Sequence, residues 1–488
     1  MAQASMTTTS DTILKNTAQR CRELDIIVPT FAQMKEPSSS NGPLGERLNG
    51  TGLSDSDPAN LFRITWKNEP VAEGGGFNSG NWIEFPSEIT GVPTRIVGIV
   101  GKHFPTGSHK VGAAFGCLVP RLISGQFDPT QHKAVWPSTG NFCRGGVFVG
   151  SLLGCESVAV LPEEMSNERF QWLESAGAEV ILTPGGESNV KEIYDEVRTI
   201  RETRPECVIF NQFEEFGNAV WHYHVTGALV DEIFRQIAGP TDRLAAFVSA
   251  TGSAGTLAAG DYLRTLHPLL RVVAVEALQC PTLLRCGFGE HRIEGIGDKH
   301  IPWIHNVRNT DTVVAVDDEQ CLALMRLFAE PVGRNYLLNQ GVSSEFIEEL
   351  SLLGISSICN LVAAIKTAHY FELDSRDVLF VPLTDSMDLY GSRVEERRQT
   401  QGLYGEPLAA ADFSRYLQGI GTDNMRELSY HDRKALHNLK YFTWVEQQGR
   451  EVDELERLWD PDFWTETYAI VDEWDRQISS FNARVGVT

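Results

Sequence analysis

A lysine that closes a short glycine-bearing turn can present its amine to a cleft and form a Schiff base with a carbonyl compound. Lys110 has such a place, ending Phe104-Pro-Thr-Gly-Ser-His-Lys110 between a strand-like run at 95–100 and a helix-like stretch. Three other loops carry groups that complement it. Ser138-Thr139-Gly140-Asn141 opens a small-residue helix, and its hydroxyls and backbone N–H groups make a cradle for a carboxylate. Gly252-Ser253-Ala254-Gly255-Thr256 opens another helix, with small residues that let backbone N–H groups approach one phosphate. Thr384 ends a strand and offers a hydroxyl to a heterocyclic nitrogen. Alone, each has an ordinary structural use: a solvated lysine, an N-cap with its turn glycine, or a strand ending in Thr-Asp. The spacing around Gly252 fits neither the dinucleotide pattern nor the nucleotide-triphosphate loop.

The elements that must position these loops alternate. Apolar runs of strand length fall at 95–100, 133–137, 157–162, 179–184, 207–211, 244–250, 271–277, 312–316 and 378–383. Helical segments lie between most of them, including 167–176, 190–203 and 217–238. Short continuous Val/Ile/Ala strands alternating with helices predict parallel sheets covered on both faces. Ligands of such sheets bind at the carboxyl ends of the strands, where all four loops lie. The pattern implies an α/β fold of two domains with mostly parallel twisted sheets flanked by helices, plus a helical C-terminal extension. The divisions expected are an N-terminal helix and arm (1–60), an N-terminal α/β domain (61–242), a C-terminal α/β domain (243–399) and the extension (400–488). Within the first, 12–24 reads as helix and 37–60 as loop or arm. In the last, Trp444, Trp459, Trp464 and Trp474 require burial, which predicts docking on the core or on a second subunit.

Composition narrows the partners. The chain of 488 residues has 42 Lys+Arg against 65 Asp+Glu, a net charge of −23. That surface repels phosphate backbones and anionic membranes, so neither nucleic acid nor a membrane is an expected partner. An anionic cofactor must then be held by local donors. The first residues lack the basic and apolar segments of a signal peptide, and a cytoplasmic setting is the default reading. Nine cysteines without a Cys-x-x-Cys argue against a disulfide framework or a zinc site. His222/His224 and His300/His305 lack metal-ligand spacing, so no metal is expected.

Lysine turn, Ser-Thr-Gly-Asn loop, phosphate loop and strand-end hydroxyl, in that order, resemble the pyridoxal-phosphate enzymes of the tryptophan synthase β/cysteine synthase superfamily (fold type II). Asn211-Gln212-Phe, followed by His222-Tyr223 and Thr226-Gly227, is similar to the cysteine synthase and cystathionine β-synthase branch. So is His291-Arg-Ile-Glu-Gly-Ile-Gly297 with Ile301-Pro302. The resemblance covers roughly residues 95–390. It implies pyridoxal 5'-phosphate as cofactor, Lys110 as the catalytic Schiff-base lysine, and Asn141 facing the cofactor's 3′-oxygen. It also implies Gly252, Ser253, Ala254, Gly255 and Thr256 around the phosphate and Thr384 at the pyridine nitrogen. His109 stands where tryptophan synthase β-chains have a phosphate-contacting histidine. The substrate carboxylate would fall to Ser138, Thr139, Gly140 and Gln212. Phe142 departs from the family by replacing a carboxylate-binding threonine, which turns it into a wall beside the substrate or a core residue. Ala254 stands in place of a glycine.

The activity so implied is β-elimination or β-replacement on a small amino acid, by a homodimer. Lys110 would remove the Cα proton, and a neutral hydroxyl at the ring nitrogen favours loss of a β-substituent over transamination. Lyase and synthase outcomes both remain open. Two alternatives stand beside this reading: threonine synthase-like chemistry on a phosphorylated amino acid, and a homologue that binds the cofactor without turnover.

Overall fold

The expected strands form because their Val, Ile and Ala side chains can be buried on both faces at once. The computed structural model describes residues 2–38, 43–138, 140–186 and 189–486. Its strands among those residues are β1 (Trp82–Phe85), β2 (Arg95–Val100), β3 (Lys133–Pro137), β4 (Glu156–Pro162), β5 (Glu179–Thr183), β6 (Cys207–Ile209), β7 (Arg243–Ala250), β8 (Arg271–Ala277), β9 (Thr312–Val316), β10 (Asp377–Leu383) and β11 (Met425–Glu427). They make two sheets, one ordered β1-β2-β10-β7-β8-β9-β11 and one ordered β5-β4-β3-β6. All pairings are parallel except those of β1 and β11, which close the larger sheet antiparallel at its two edges.

Strand β10 lies between β2 and β7 although the three are distant in sequence, and every one of its residues is buried. The loops that follow β2, β10 and β7 therefore emerge side by side at one sheet edge. Those loops carry Lys110, Thr384 and the 251–256 segment. The loops after β3 and β6, carrying Ser138 and Gln212, come from the carboxyl end of the smaller sheet. The register ties the first group tightly: Gly101 N–H donates to the Leu383 carbonyl at 2.8 Å, just before Thr384.

Three stretches differ from expectation. The strand pairs at the sheet edges, β1 and β11, were not read as strands, being four and three residues long. The helix at 217–238 is interrupted by a wide π turn at His222–Thr226 between Phe216–Trp221 and Gly227–Ile237. The stretch 37–60, expected as loop or arm, carries a helix at Pro43–Gly50 and leads into a 3-10 helix at Pro58–Arg63, with residues 39–42 outside those described. Asn60 and Arg63 are buried there, Arg63 by donating to the Leu48 carbonyl at 2.7 Å.

The C-terminal segment docks on the core through two of the four tryptophans expected to be buried, while Trp459 and Trp474 are half-buried. Trp444 and Trp464 are buried, and Trp444 Nε1–H donates to the Ile301 carbonyl at 2.8 Å. Lys440, fully buried, donates to the carbonyls of Trp303 (2.9 Å) and His305 (2.7 Å), and burial pushes its pKa well below the usual lysine value. The two ends of the chain also meet. Arg22 donates to the carbonyls of Val485 and Arg484, both at 2.7 Å, and Phe31 N–H donates to Asp475 Oδ1 at 2.7 Å. No single helix among the described residues is long and apolar enough to cross a membrane.

Candidate active site

Lys110 begins the helix Lys110–Ile123, just after a sharp turn in which Thr106 (φ 65°) and Gly107 (φ 71°) both hold left-handed backbone. A β-branched residue in that region is strained, and such strain gathers where a side chain must be aimed. Arg144 holds the turn by donating to the Thr106 carbonyl at 2.9 Å. The Lys110 amine lies 3.4 Å from Gln212 Oε1 and 3.4 Å from Ser253 Oγ. It thus stands between the two loops read as carboxylate and phosphate cradles.

From Gln212 the contacts continue, its Nε2 donating to Ser138 Oγ at 3.2 Å, which also accepts the Gly140 N–H at 3.2 Å. Gly140 caps the helix Asn141–Leu152. Thr139 lies outside the described residues. Beneath this loop are two buried arginines, Arg144 and Arg169. Burial, then the charge of Arg169, lowers the Arg144 pKa to about 10, which leaves Arg144 cationic near neutrality. Arg169 pairs with Glu294 at 2.8 Å and reaches Tyr390 Oη at 3.2 Å. Asp385 accepts from Asn141 Nδ2 (2.6 Å) and Tyr390 Oη (2.9 Å). Asn141 is thereby fixed by its amide nitrogen.

On the other side, Ser253 accepts from Asn218 Nδ2 at 2.9 Å, while Thr256 turns its hydroxyl to Ser249 Oγ at 2.7 Å. Gly255 cannot be anything larger, since a Cβ there would sit 2.1 Å from Asn218 Oδ1. Ala254 has φ 63°, left-handed backbone that favours glycine. Placing an L-residue there costs about 1–2 kcal/mol, yet a glycine would lose the buried methyl and add chain entropy of about 0.4–1 kcal/mol. Ala254→Gly is therefore expected to leave stability within about 1 kcal/mol, whereas Ala254→Val, β-branched at positive φ, costs about 2 kcal/mol or more. Denaturant unfolding of both variants checks this.

Thr384 Oγ1 lies 3.4 Å from His109 Nε2. The His109 ring stacks on Trp66 (5.4 Å, 29°) and meets His222 edge-on (5.0 Å, 81°), while its Nδ1 is buried without a partner. The π turn delivers His222, whose Nδ1 faces Thr226 Oγ1 at 2.9 Å. Burial and the neighbouring Lys110 hold His109 neutral, well below its ordinary pKa.

Lys110, Ser138, Asn141, Phe142, Gln212, Gly252 and Thr384 line one cavity, together with Phe213, Gly295 and Asp298, to which the sequence assigns no role. Its volume is about 20 Å³, so its walls are nearly in contact and belong to loops of two different sheets. A larger hollow of about 920 Å³ opens against Phe463 and Trp474. Its arginines Arg121, Arg201 and Arg450 are each paired with Glu214 or Glu215, and it lacks an amine for covalent chemistry. The chemistry belongs to the smaller cavity. Phe142 lines it and also packs edge-on against Trp136 at 5.6 Å, 71°.

The paired parallel sheets with a lysine at their facing carboxyl ends define a class of α/β enzymes, and comparison with known proteins agrees. A family model described as pyridoxal-phosphate dependent enzyme matches residues 101–381, and the chain belongs to that family. It is a pyridoxal-phosphate-dependent enzyme. A cysteine synthase of Staphylococcus aureus is 30% identical over 267 residues, covering 54% of this chain and 77% of that protein. The cystathionine beta-synthase of Saccharomyces cerevisiae is 25% identical over 386 residues, 76% of this chain and 72% of the other. Among solved structures, an O-acetylserine dependent cystathionine beta-synthase from Helicobacter pylori shares the fold with TM-score 0.53 at 24% identity, covering 64% of this chain and 94% of that one. A hydrogen sulfide-producing enzyme from Fusobacterium nucleatum does so with TM-score 0.54 at 22% identity, over 64% and 96%.

The residues present suit the family's cofactor. The amine at 3.4 Å from Ser253 and the glycine at 255, where a Cβ would leave no room, together form a lysine-plus-anion cradle.

Proposed function

We propose that the protein catalyses β-elimination or β-replacement on a small amino acid, with Lys110 as the base at Cα. The observation that carries this reading is the Lys110 amine standing 3.4 Å from both Gln212 and Ser253. Pyridoxal phosphate, when bound, supplies the sink for the electron pair left at Cα. Backbone N–H groups of Gly252, Ser253, Ala254, Gly255 and Thr256 hold its phosphate, and Asn141 and Thr384 hold its ring, with His109 orienting Thr384. Ser138, Thr139, Gly140 and Gln212 hold the substrate carboxylate above the buried Arg144. With the cofactor bound, Thr384 would offer its ring nitrogen a neutral hydroxyl rather than a carboxylate, a partner that would favour loss of the β-group over transamination. Water is excluded because Ser138, Asn141, Gln212 and Thr384 are buried or nearly so.

The test is to load the purified protein with cofactor and offer O-acetylserine, O-phosphoserine, serine, cysteine and O-phosphohomoserine. Release of keto acid and ammonia, or capture of an added thiol, from a β-substituted amino acid supports the proposal. Turnover of O-phosphohomoserine alone refutes it. We also propose a homodimer in a reducing, cytoplasmic setting; all nine thiols are free and all but Cys207 and Cys286 are buried. Sedimentation velocity of the loaded protein tests the dimer.

Phe142 sets the shape of the substrate side. Phe142→Thr is expected to raise the kcat/KM ratio of O-acetylserine to cysteine about tenfold, because removing the aromatic wall makes room for the acetyl group that cysteine lacks. It also opens space against Trp136 and lowers stability by about 2–3 kcal/mol. An unchanged ratio with the lost stability would mean that Phe142 serves packing alone.

A further inference from the structure

The cavity beside Lys110 contains one ionisable group to which the roles above give no task. Asp298 is 8% exposed, lines the cavity with Lys110, Ser138 and Gln212, and has its Oδ2 buried without a hydrogen-bond partner. A buried carboxylate oxygen without a donor is costly, and such atoms persist where function needs them. The segment holding it is built rather than loose. Gly297, at φ 72°, donates its N–H to the Thr251 carbonyl at 2.7 Å and accepts at its own carbonyl from His291 Nε2 at 2.8 Å. His291 Nδ1 accepts the Ile293 N–H at 3.2 Å, so the ring carries its proton on Nε2. The Asp298 carbonyl accepts from Thr282 Oγ1 at 2.7 Å. The carboxylate is therefore aimed from a frame tied to the phosphate loop.

The groups that face it are the Lys110 amine across the cavity, the Tyr194 phenol from the helix Val190–Thr203 and the Cys280 thiol after β8. Within its own segment, His300 is neutral through burial and is bonded to Tyr194 at 3.1 Å. Burial raises the Asp298 pKa to about 7, with Lys110 pulling the other way. An acid in that range can both give and take a proton near neutrality.

We propose that Asp298 is a catalytic acid that delivers a proton to the departing β-substituent, which makes the preferred substrates amino acids with an unactivated β-hydroxyl or β-thiol. The inference rests on the β-chemistry proposed above. The Cα proton passes to Lys110 Nζ, its electron pair forms the Cα–Cβ double bond, and the Cβ–O or Cβ–S bond breaks. The proton on Asp298 goes to the leaving oxygen or sulfur, which departs as water or hydrogen sulfide. Asp298 is left as a carboxylate and regains its proton from solvent, or from the nucleophile that adds. An acetate leaving group needs no such proton, so O-acetylserine should be indifferent to Asp298.

The experiment uses cofactor-loaded wild type and D298N. Turnover of serine and of cysteine is expected to fall about 10²–10³-fold, while turnover of O-acetylserine changes less than about threefold. Exchange of the serine Cα proton into deuterium oxide, followed by NMR, should survive in D298N because Lys110 performs it. Wild-type turnover of serine should decline as pH rises through about 7, and that limb should vanish in D298N. Independently of turnover, infrared difference spectra should show a protonated carboxyl in the wild type at pH 6, lost at pH 8 and absent from D298N. D298S, a smaller side chain, gives the same tests should D298N fold poorly. Equal loss for serine and O-acetylserine, or no loss for either, overturns the proposal. A wild type active on O-acetylserine but not on serine or cysteine overturns it while leaving β-chemistry intact. A wild type active on none of them defeats both.

Discussion

Lys110→Ala is expected to abolish the visible absorption of the cofactor-loaded protein and to lower kcat/KM by about 10⁴-fold. The absorption comes from a covalent bond that only an amine can make, and Lys110 is the only lysine among the described residues lining the cavity. Its neighbours Gln212 and Ser253 can hold a cofactor or substrate but cannot replace that bond. Lys110→Arg preserves the charge beside His109 and Asp298 yet cannot form the bond either, so it should share the spectral loss. Near-unchanged melting temperatures would show that the loss is chemical. A variant that keeps both band and activity would place the reactive lysine elsewhere.

Gly255→Asp is expected to weaken cofactor binding at least 100-fold, or about 3 kcal/mol. Two effects act together. The Cβ would meet Asn218 Oδ1 at 2.1 Å, and Asn218 also anchors Ser253 and the Gln212 carbonyl. The new carboxylate would then stand beside an orphaned acceptor and against a dianionic phosphate, a like-charge contact that costs several kcal/mol. Because the chain carries −23, no global field offsets the loss. Gly255→Ala retains the steric part and should fall between the two, which separates space from charge. Cofactor titration of each variant, with circular dichroism to verify the fold, measures the effect. Wild-type affinity in Gly255→Asp would mean that the phosphate lies away from this loop.

Nine strands could be read from the sequence because each carries an apolar run, buried on both faces in all but β5 and β6, and their bounds follow from where that run stops. The short edge strands of the larger sheet have no such signature. Met425–Glu427 is mostly exposed and pairs only through its backbone with β9. The position of β10 between β2 and β7 is equally silent in sequence, although it is what brings Thr384 beside the lysine turn. Site residues on loops after strands were legible, since glycines and hydroxyls there have a local rationale. The residues that were not legible act through distant partners. Arg169 looks like any helix arginine until Glu294 and Tyr390 are folded onto it. Asp298 follows a recognisable glycine pair, yet only the cavity reveals that its oxygen lacks a donor. The π turn at His222–Thr226 reads as plain helix, because its extra residue changes bonding and not composition.

The joined ends of the chain have a consequence for how it is made. Arg22 waits for a carbonyl 463 residues downstream, and Phe31 for an aspartate 444 residues away. At a synthesis rate of about 5–20 residues per second, the first helix is without its partners for roughly 25–90 s. Throughout that interval Phe31 and Met34, both buried in the finished protein, are not yet covered by the last helix. Slow elongation lengthens this window and favours capture by other nascent chains, whereas holdase chaperones shorten its cost. Yield of active protein should thus depend on elongation rate and chaperone supply more steeply than the stability of the finished molecule would suggest.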